Sequence, residues 1–176
     1  MPARLLLVLA PRRALLLAAV FVLSGVWIGS SQNAPPRPAG AVKVKDDLYM
    51  ITGGGGNVAA YVTNEGVILV DDMYERDAPE VLSQLKTLTD KPVRYVLNTH
   101  QHADHAGGNT VLLPIAEVIS HRNARANMVA LKQPGLPRIT FSSETEIFLG
   151  GKEARAGHYG RGHTGGDAFV YFRRPE

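Results

Sequence analysis

The run Val93-Arg94-Tyr95-Val96-Leu97-Asn98-Thr99-His100-Gln101-His102-Ala103-Asp104-His105 joins a short apolar segment to four potential metal ligands packed into six residues. Residues 93–97 have the length and the β-branched, aromatic content of a buried strand, so the histidines are expected on the loop that leaves its end. Three of the chain's six histidines sit in this one loop. Scattered histidines usually pack in a core or lie at the surface, and such a concentration argues for ligation instead. Imidazole and carboxylate are the ligands that a borderline-soft dication such as zinc takes when no thiolate is offered, and the chain has no cysteine. The spacing lets different members of the cluster face different ions.

Upstream, Val42, Val44, Leu48, Met50 and Ile51 pattern as a β-hairpin turning at Asp46 and Asp47. Residues 58–63 and 67–70 pattern as a second hairpin, turning at Asn64, Glu65 and Gly66. Asp77, Pro79 and Glu80 form a helix start with Asp77 placed to cap, and Val81, Leu82, Leu85 and Leu88 share one face of a helix that ends near Asp90. Downstream, residues 110–115, 118–120 and 123–131 read as helix, strand and helix, with Pro114 closing the first. A Pro and Gly loop over residues 134–137 precedes three strands, 144–149, 153–156 and 168–172. Strands, then helices, then strands define an α/β layered domain, without an internal repeat.

The first 40 residues have a different character. Residues 1–31 carry Arg4, Arg12 and Arg13, an apolar run from Ala14 to Ile28, and then the small residues Gly29, Ser30 and Ser31, which is the layout of a secretory signal peptide. At about 15 residues the run is short for a membrane span, so cleavage is expected; an uncleaved leader would be an anchor and the chain's only membrane contact. Residues 32–40, holding Pro35, Pro36 and Pro38, read as a linker, and the domain is expected over residues 41–176. The expected location is exported, periplasmic or secreted. The formal charge of +3 belongs to the leader, whose three arginines leave equal numbers of basic and acidic residues behind them. That balance removes nucleic acid and anionic lipid as expected partners. With 45% hydrophobic and 20% charged residues the remainder reads as one globular domain, and its oligomeric state stays open.

Thr99-His100-Gln101-His102-Ala103-Asp104-His105-Ala106-Gly107-Gly108-Asn109 resembles the T-H-x-H-x-D-H signature of the metallo-β-lactamase superfamily. Gly162-His163-Thr164-Gly165-Gly166-Asp167 resembles that family's next metal histidine in its G-H-T-x-G-D setting. Leu69-Val70-Asp71 resembles the strand-end aspartate that supports the family's metal loop. The likeness runs from about Val42 to Phe172 and implies an αββα sandwich, of which this chain would be the N-terminal portion. By that likeness His100, His102 and His163 hold a first Zn2+ with one position left for water, and Asp104 and His105 go to a second. Asp104 is also the catalytic residue that takes a proton from the attacking water. The implied activity is a zinc-dependent hydrolase in which a metal-generated hydroxide attacks a small-molecule acyl, ester or lactam-type substrate, with one or two Zn2+ per intact domain. The family pattern continues with a bridging aspartate and a late histidine, and no residue after His163 matches either. The second site is therefore expected to have two ligands at most, and the chain to be part of a longer domain.

Other residues have plainer readings. His158 could reach the pocket or be a strand-end histidine satisfied by backbone, and it stays outside the metal set. His121 is expected to start a helix, Asp72 to lie at the surface or behind the ligands, and residues 53–56 to form a mobile hairpin loop beside the metals. The four glycines lack the Lys and Ser or Thr of a phosphate-binding loop. Gln101 stands where the family's di-iron branch has a carboxylate, and an amide ligates metal poorly, which disfavours that branch. Two alternatives remain at this stage: a mono-iron oxygenase of the same fold, since two histidines and a carboxylate can hold iron, and a non-catalytic metal-binding remnant.

Overall fold

The computed structural model describes residues 40–173, so the signal peptide read over residues 1–31 and all of the linker except Gly40 lie outside the described residues. The chain begins with the antiparallel meander β1 (Gly40–Lys45), β2 (Leu48–Thr52), β3 (Asn57–Val62) and β4 (Val67–Val70). It then turns to parallel pairing through α1 (Ala78–Leu88), β5 (Val93–Asn98), the short turns α2 (Ala103–Ala106) and α3 (Asn109–Leu112), β6 (Glu117–His121), α4 (Arg122–Ala130) and β7 (Ile139–Phe141). These seven strands form one sheet in sequence order. The strands β8 (Glu144–Leu149), β9 (Lys152–Gly157) and β10 (Phe169–Arg173) form a second, antiparallel sheet with β9 at its centre.

Every residue of β4 is buried because both faces of the large sheet are covered. Val67 and Leu69 point to the helical side, where Val81 and Leu85 of α1 and Leu112 of α3 meet Ile51, Val58, Val96 and Val118. Ile68 and Val70 point to the other side, where Leu97, Ile119 and Phe141 meet Ile147, Ala154 and Ala156 of the small sheet. The alternation is the two-residue period of a strand. Burying aliphatic side chains of this size contributes about 1.5–3 kcal/mol each. The outer face of the small sheet is different: Phe148, Phe169 and Tyr171 are exposed there. Among the described residues no helix is long and apolar enough to cross a membrane.

Both predicted hairpins and the helix α1 occur where the residue pattern puts them. Four details differ. Strand β7 follows the Pro and Gly loop and is not evident in the pattern, because only one of its three residues is buried. The histidine motif leaves β5 as a loop but enters the helical turn α2 at Ala103. Asp77 occupies the N-cap of α1, yet its backbone is already near-helical (φ −92°, ψ −19°) and its carboxylate makes no capping bond. Asp72 is completely buried, which overturns the surface reading.

Candidate metal centre

The parallel strands all end at one edge of the large sheet, and that edge carries the chemistry, as is usual for α/β layers. Asp71 follows β4 and Thr99 follows β5. Asp71 adopts a left-handed backbone (φ 62°), which an aspartate tolerates better than a branched residue. Its buried carboxylate accepts three bonds: Oδ1 from the Thr99 N–H (2.7 Å), and Oδ2 from the Thr99 hydroxyl (2.8 Å) and from His105 Nδ1 (2.8 Å). Since the Thr99 hydroxyl hydrogen goes to Asp71, Thr99 Oγ1 accepts from His100 Nδ1 at 3.1 Å. Those two bonds assign the tautomers, leaving the Nε2 lone pair of both His100 and His105 free to ligate.

His163 arrives from the connection between β9 and β10. The Ala168 N–H donates to the Thr99 carbonyl (2.8 Å), which ties the start of β10 to the end of β5 and brings the two motifs side by side. One nitrogen each of His100, His102 and His163 then lie within 4.8 Å of one another. Four-coordinate zinc with 2.0–2.1 Å bonds requires nitrogen separations of about 3.3 Å, so small side-chain adjustments close the cage. The ring planes of His100 and His102, and of His100 and His163, stand at 80°, and those of His102 and His163 at 74°. The three rings thus meet edge to face instead of stacking, with one nitrogen of each in the cluster. His102 Nδ1 and His163 Nε2 face each other at 3.0 Å, a contact that needs either a shared proton or a cation.

Asp104 and His105 form a second pair, with His105 Nε2 at 3.5 Å from Asp104 Oδ2. Both atoms are acceptors in the tautomer fixed by Asp71, so this pair also fits a cation. The structure brings Asp104 and His105 together, but no third acidic or histidine ligand joins them among the described residues. Burial pushes the His100 imidazole below its ordinary range, which favours the neutral form that binds metal. His105 moves the other way, raised chiefly by its hydrogen bond to Asp71.

Hydrogen bonds and close backbone approaches fasten this loop to its surroundings. The Asp72 amide donates to the His105 carbonyl (2.9 Å), and Asp72 Oδ1 accepts from the Gly108 amide (2.9 Å). Burial pushes the Asp72 carboxyl well above the usual carboxylate range. A Cβ on Gly108 would come within 2.5 Å of the Asp72 carbonyl oxygen, so only glycine fits there. The loop over residues 53–56 packs on the same segment: the Gly56 amide donates to the Asp104 carbonyl (3.2 Å), and a Cβ on Gly56 would lie 3.0 Å from the His105 ring. Gln101 is buried and turned towards α4, where its Oε1 accepts from Asn127 Nδ2 (3.2 Å). His158 and His121 are both engaged by backbone carbonyls, His158 with Asp167 and His121 with Ser142. The bridging role of Thr99 is absent from the sequence reading, although its position between strand and ligand was the signal for it. A cavity of about 440 Å³ shares Gln101 and Ala103 with the metal loop and is otherwise lined by residues such as Tyr74, Met128 and Pro134. A larger one of about 650 Å³, beside Arg94, Glu117 and Arg138, lies at the other end of the strands and contains no histidine.

Three imidazoles drawn from two sheets to the edge of a layered α/β sandwich define a metal-binding class of protein. The chain belongs to the metallo-β-lactamase superfamily, whose family model matches residues 51–175. Among solved structures, the metallo-β-lactamase from Pontibacter korlensis superposes with a TM-score of 0.70 at 23% identity, over 76% of this chain and 66% of that one. The FEZ-1 metallo-β-lactamase from Legionella gormanii gives 0.67 at 20% identity, over 79% of this chain and 60% of that one. These likenesses establish the shared fold. A curated relative, the alkyl/aryl-sulfatase BDS1 of Saccharomyces cerevisiae, is 30% identical over 84 residues, 46% of this chain and 13% of its own. The chain thus spans a small part of that relative and about two thirds or less of the solved structures.

Proposed function

We propose that this chain carries the primary metal site of a zinc-dependent hydrolase acting on a small molecule with an acyl, ester or lactam-type bond. The observation that carries this reading is the convergence of His100, His102 and His163 within 4.8 Å, with no negatively charged ligand among them. Zinc bound by three neutral ligands supplies Lewis acidity and lowers the pKa of a water towards about 7. The chain's own residues do the rest. The Asp71–Thr99 pair fixes the His100 ring with Nε2 forward. Asp104, whose side chain is 39% exposed, takes up a proton at Oδ2, which stands 3.5 Å from His105 Nε2. The cavity beside Gln101 and Ala103 accommodates the apolar part of a substrate, with Tyr74 on its wall. Export by the leader over residues 1–31 belongs to the same proposal, and N-terminal sequencing of the mature protein tests it.

The direct test is elemental analysis of the purified protein before and after His102→Ala. About one equivalent of zinc in the parent and its loss from the variant is the expected result. Full retention of metal by the variant removes the site, and stoichiometric iron in the parent redirects the reading to an oxygenase.

A further inference from the structure

The loop that delivers His163 is held from behind by two histidines that take no part in the metal cluster. His121 ends β6 and caps α4: its Nδ1 accepts from the Asn123 amide (3.4 Å), so its proton is on Nε2, which donates to the Ser142 carbonyl (3.0 Å). Its ring stacks on that of His158, with centroids 3.8 Å apart and planes inclined by only 13°. The His158 amide donates to the Ser143 carbonyl (2.7 Å), so neighbouring carbonyls of one turn fix both residues. His158 Nδ1 then donates to the main-chain carbonyl of Asp167 (2.7 Å). Asp167 in turn closes the loop, its carboxylate accepting from the Thr164 amide (2.9 and 3.0 Å) and from the Thr164 hydroxyl. The Gly166 amide donates to Thr164 Oγ1 (3.1 Å), and the Gly165 carbonyl accepts from Asn123 Nδ2 (2.8 Å). A Cβ on Gly166 would meet the Ala124 nitrogen at 2.3 Å, so the loop sits directly on the first turn of α4.

We infer that His158 is a positioning residue for His163: its Nδ1–H, set in place by the stack on His121, fixes the Asp167 end of the 158–168 loop and thereby the third imidazole of the metal cluster. The physical reason is leverage on an exposed ligand. His163 is itself exposed, and its ring meets the rings of His102 and His100, themselves members of the cluster. Among the described residues it has no side-chain hydrogen bond from outside the cluster, unlike His100 and His105, which Thr99 and Asp71 hold. Its placement is therefore set by the loop, and the loop by the carbonyl of Asp167 and the side chain beneath it. Residues that orient a ligand without touching the metal usually change metal affinity about 10- to 100-fold when lost.

The inference rests on the proposed metal site for its affinity measurement only. The full chain is compared with His158→Phe, which keeps a ring for the stack but has no donor, and with His158→Asn, whose amide N–H takes the place of Nδ1–H. Zinc affinity is read by competition with a chromophoric chelator, and amide hydrogen exchange at Gly166 and Ala168 is read in the metal-free protein. His158→Phe is expected to weaken zinc binding about 10- to 100-fold and to speed exchange at both amides, while the Asn variant stays within about threefold of the parent. Exchange at Val96 and Ile119, in the core strands, should be the same in all three. Wild-type behaviour of His158→Phe overturns the inference, as does an Asn variant no better than Phe, or acceleration that extends equally to Val96 and Ile119. If the parent binds no zinc, the metal-site reading fails and the exchange at Gly166 and Ala168 alone decides the role of His158.

Discussion

Replacing Asp71 by alanine removes one buried carboxylate and strands three donors: the Thr99 amide, the Thr99 hydroxyl and His105 Nδ1. Hydrogen bonds to a charged group contribute about 1.5–3 kcal/mol each, but three bonds to one carboxylate are not additive. The left-handed backbone at this position adds about 1 kcal/mol against alanine. Breaking a buried charged network by removing one partner costs about 3–5 kcal/mol, and that is the expected loss in unfolding free energy for Asp71→Ala. Asp71→Asn keeps an acceptor for the Thr99 amide and tolerates the positive φ, so a loss of about 1–3 kcal/mol is expected. Urea denaturation of the metal-free protein reads both. A second measurement isolates the cause: the His105 imidazole, held above its ordinary range chiefly by Asp71, should titrate lower by NMR in either variant. A change below about 1 kcal/mol in Asp71→Ala, with an unmoved His105 titration, refutes the argument that Asp71 organises this loop.

Gly108→Ala drives a Cβ into the Asp72 carbonyl and should cost about 1–3 kcal/mol in a denaturant melt, so an unchanged midpoint would show that the turn has room to shift. Leu97→Ala, which opens a hole between the two sheets, should cost about 2–5 kcal/mol by the same measurement. His100 and His121 are both held below their ordinary range by burial, so the unfolded chain binds more protons than the folded one in acid. Their contribution is present above about pH 6.5 and is lost as the pH falls through their folded values. His105 acts in the opposite sense, its contribution being complete below about pH 6.5 and fading as the pH rises through its raised folded value, so it offsets part of the acid loss. Asp72, raised by burial, acts in the same sense as His105, so the individual titrations are the test. By NMR of the metal-free protein His100 and His121 should titrate below and His105 above the ordinary imidazole range, and a His100 or His121 that titrates above it contradicts the assignment of neutral rings.

Much of the large sheet was legible because its strands are short apolar runs punctuated by Asp, Asn and Gly turns, and α1 because Val81, Leu82, Leu85 and Leu88 repeat at helical spacing. What escaped was what depends on distant partners. Strand β7 exists because Ile139–Phe141 pairs with β6, and no local feature of those residues announces it. The assignment of β8–β10 to a separate sheet is a matter of which apolar face meets which. At Asp77 a correct helix start went with a wrong detail, since the cap requires an extended backbone that the preceding turn does not provide. The supporting role of Asp71 was legible through the family motif, whereas for its neighbour Asp72 the sequence left surface and buried positions open, and only the fold reveals that it seats the Gly108 amide. The meeting of His163 with His102, 61 residues earlier, was legible through the family motif alone.

That separation has a consequence for how the chain matures. Synthesis runs at about 5–20 residues per second, so His163 leaves the ribosome roughly 3–12 seconds after the first histidines. Until β9 and β10 dock, His100 and His102 lack the third imidazole of the cluster. In the proposed metal centre, capture of the ion would therefore follow closure of the two sheets, because the third imidazole joins the other two only when β10 is tied to the end of β5.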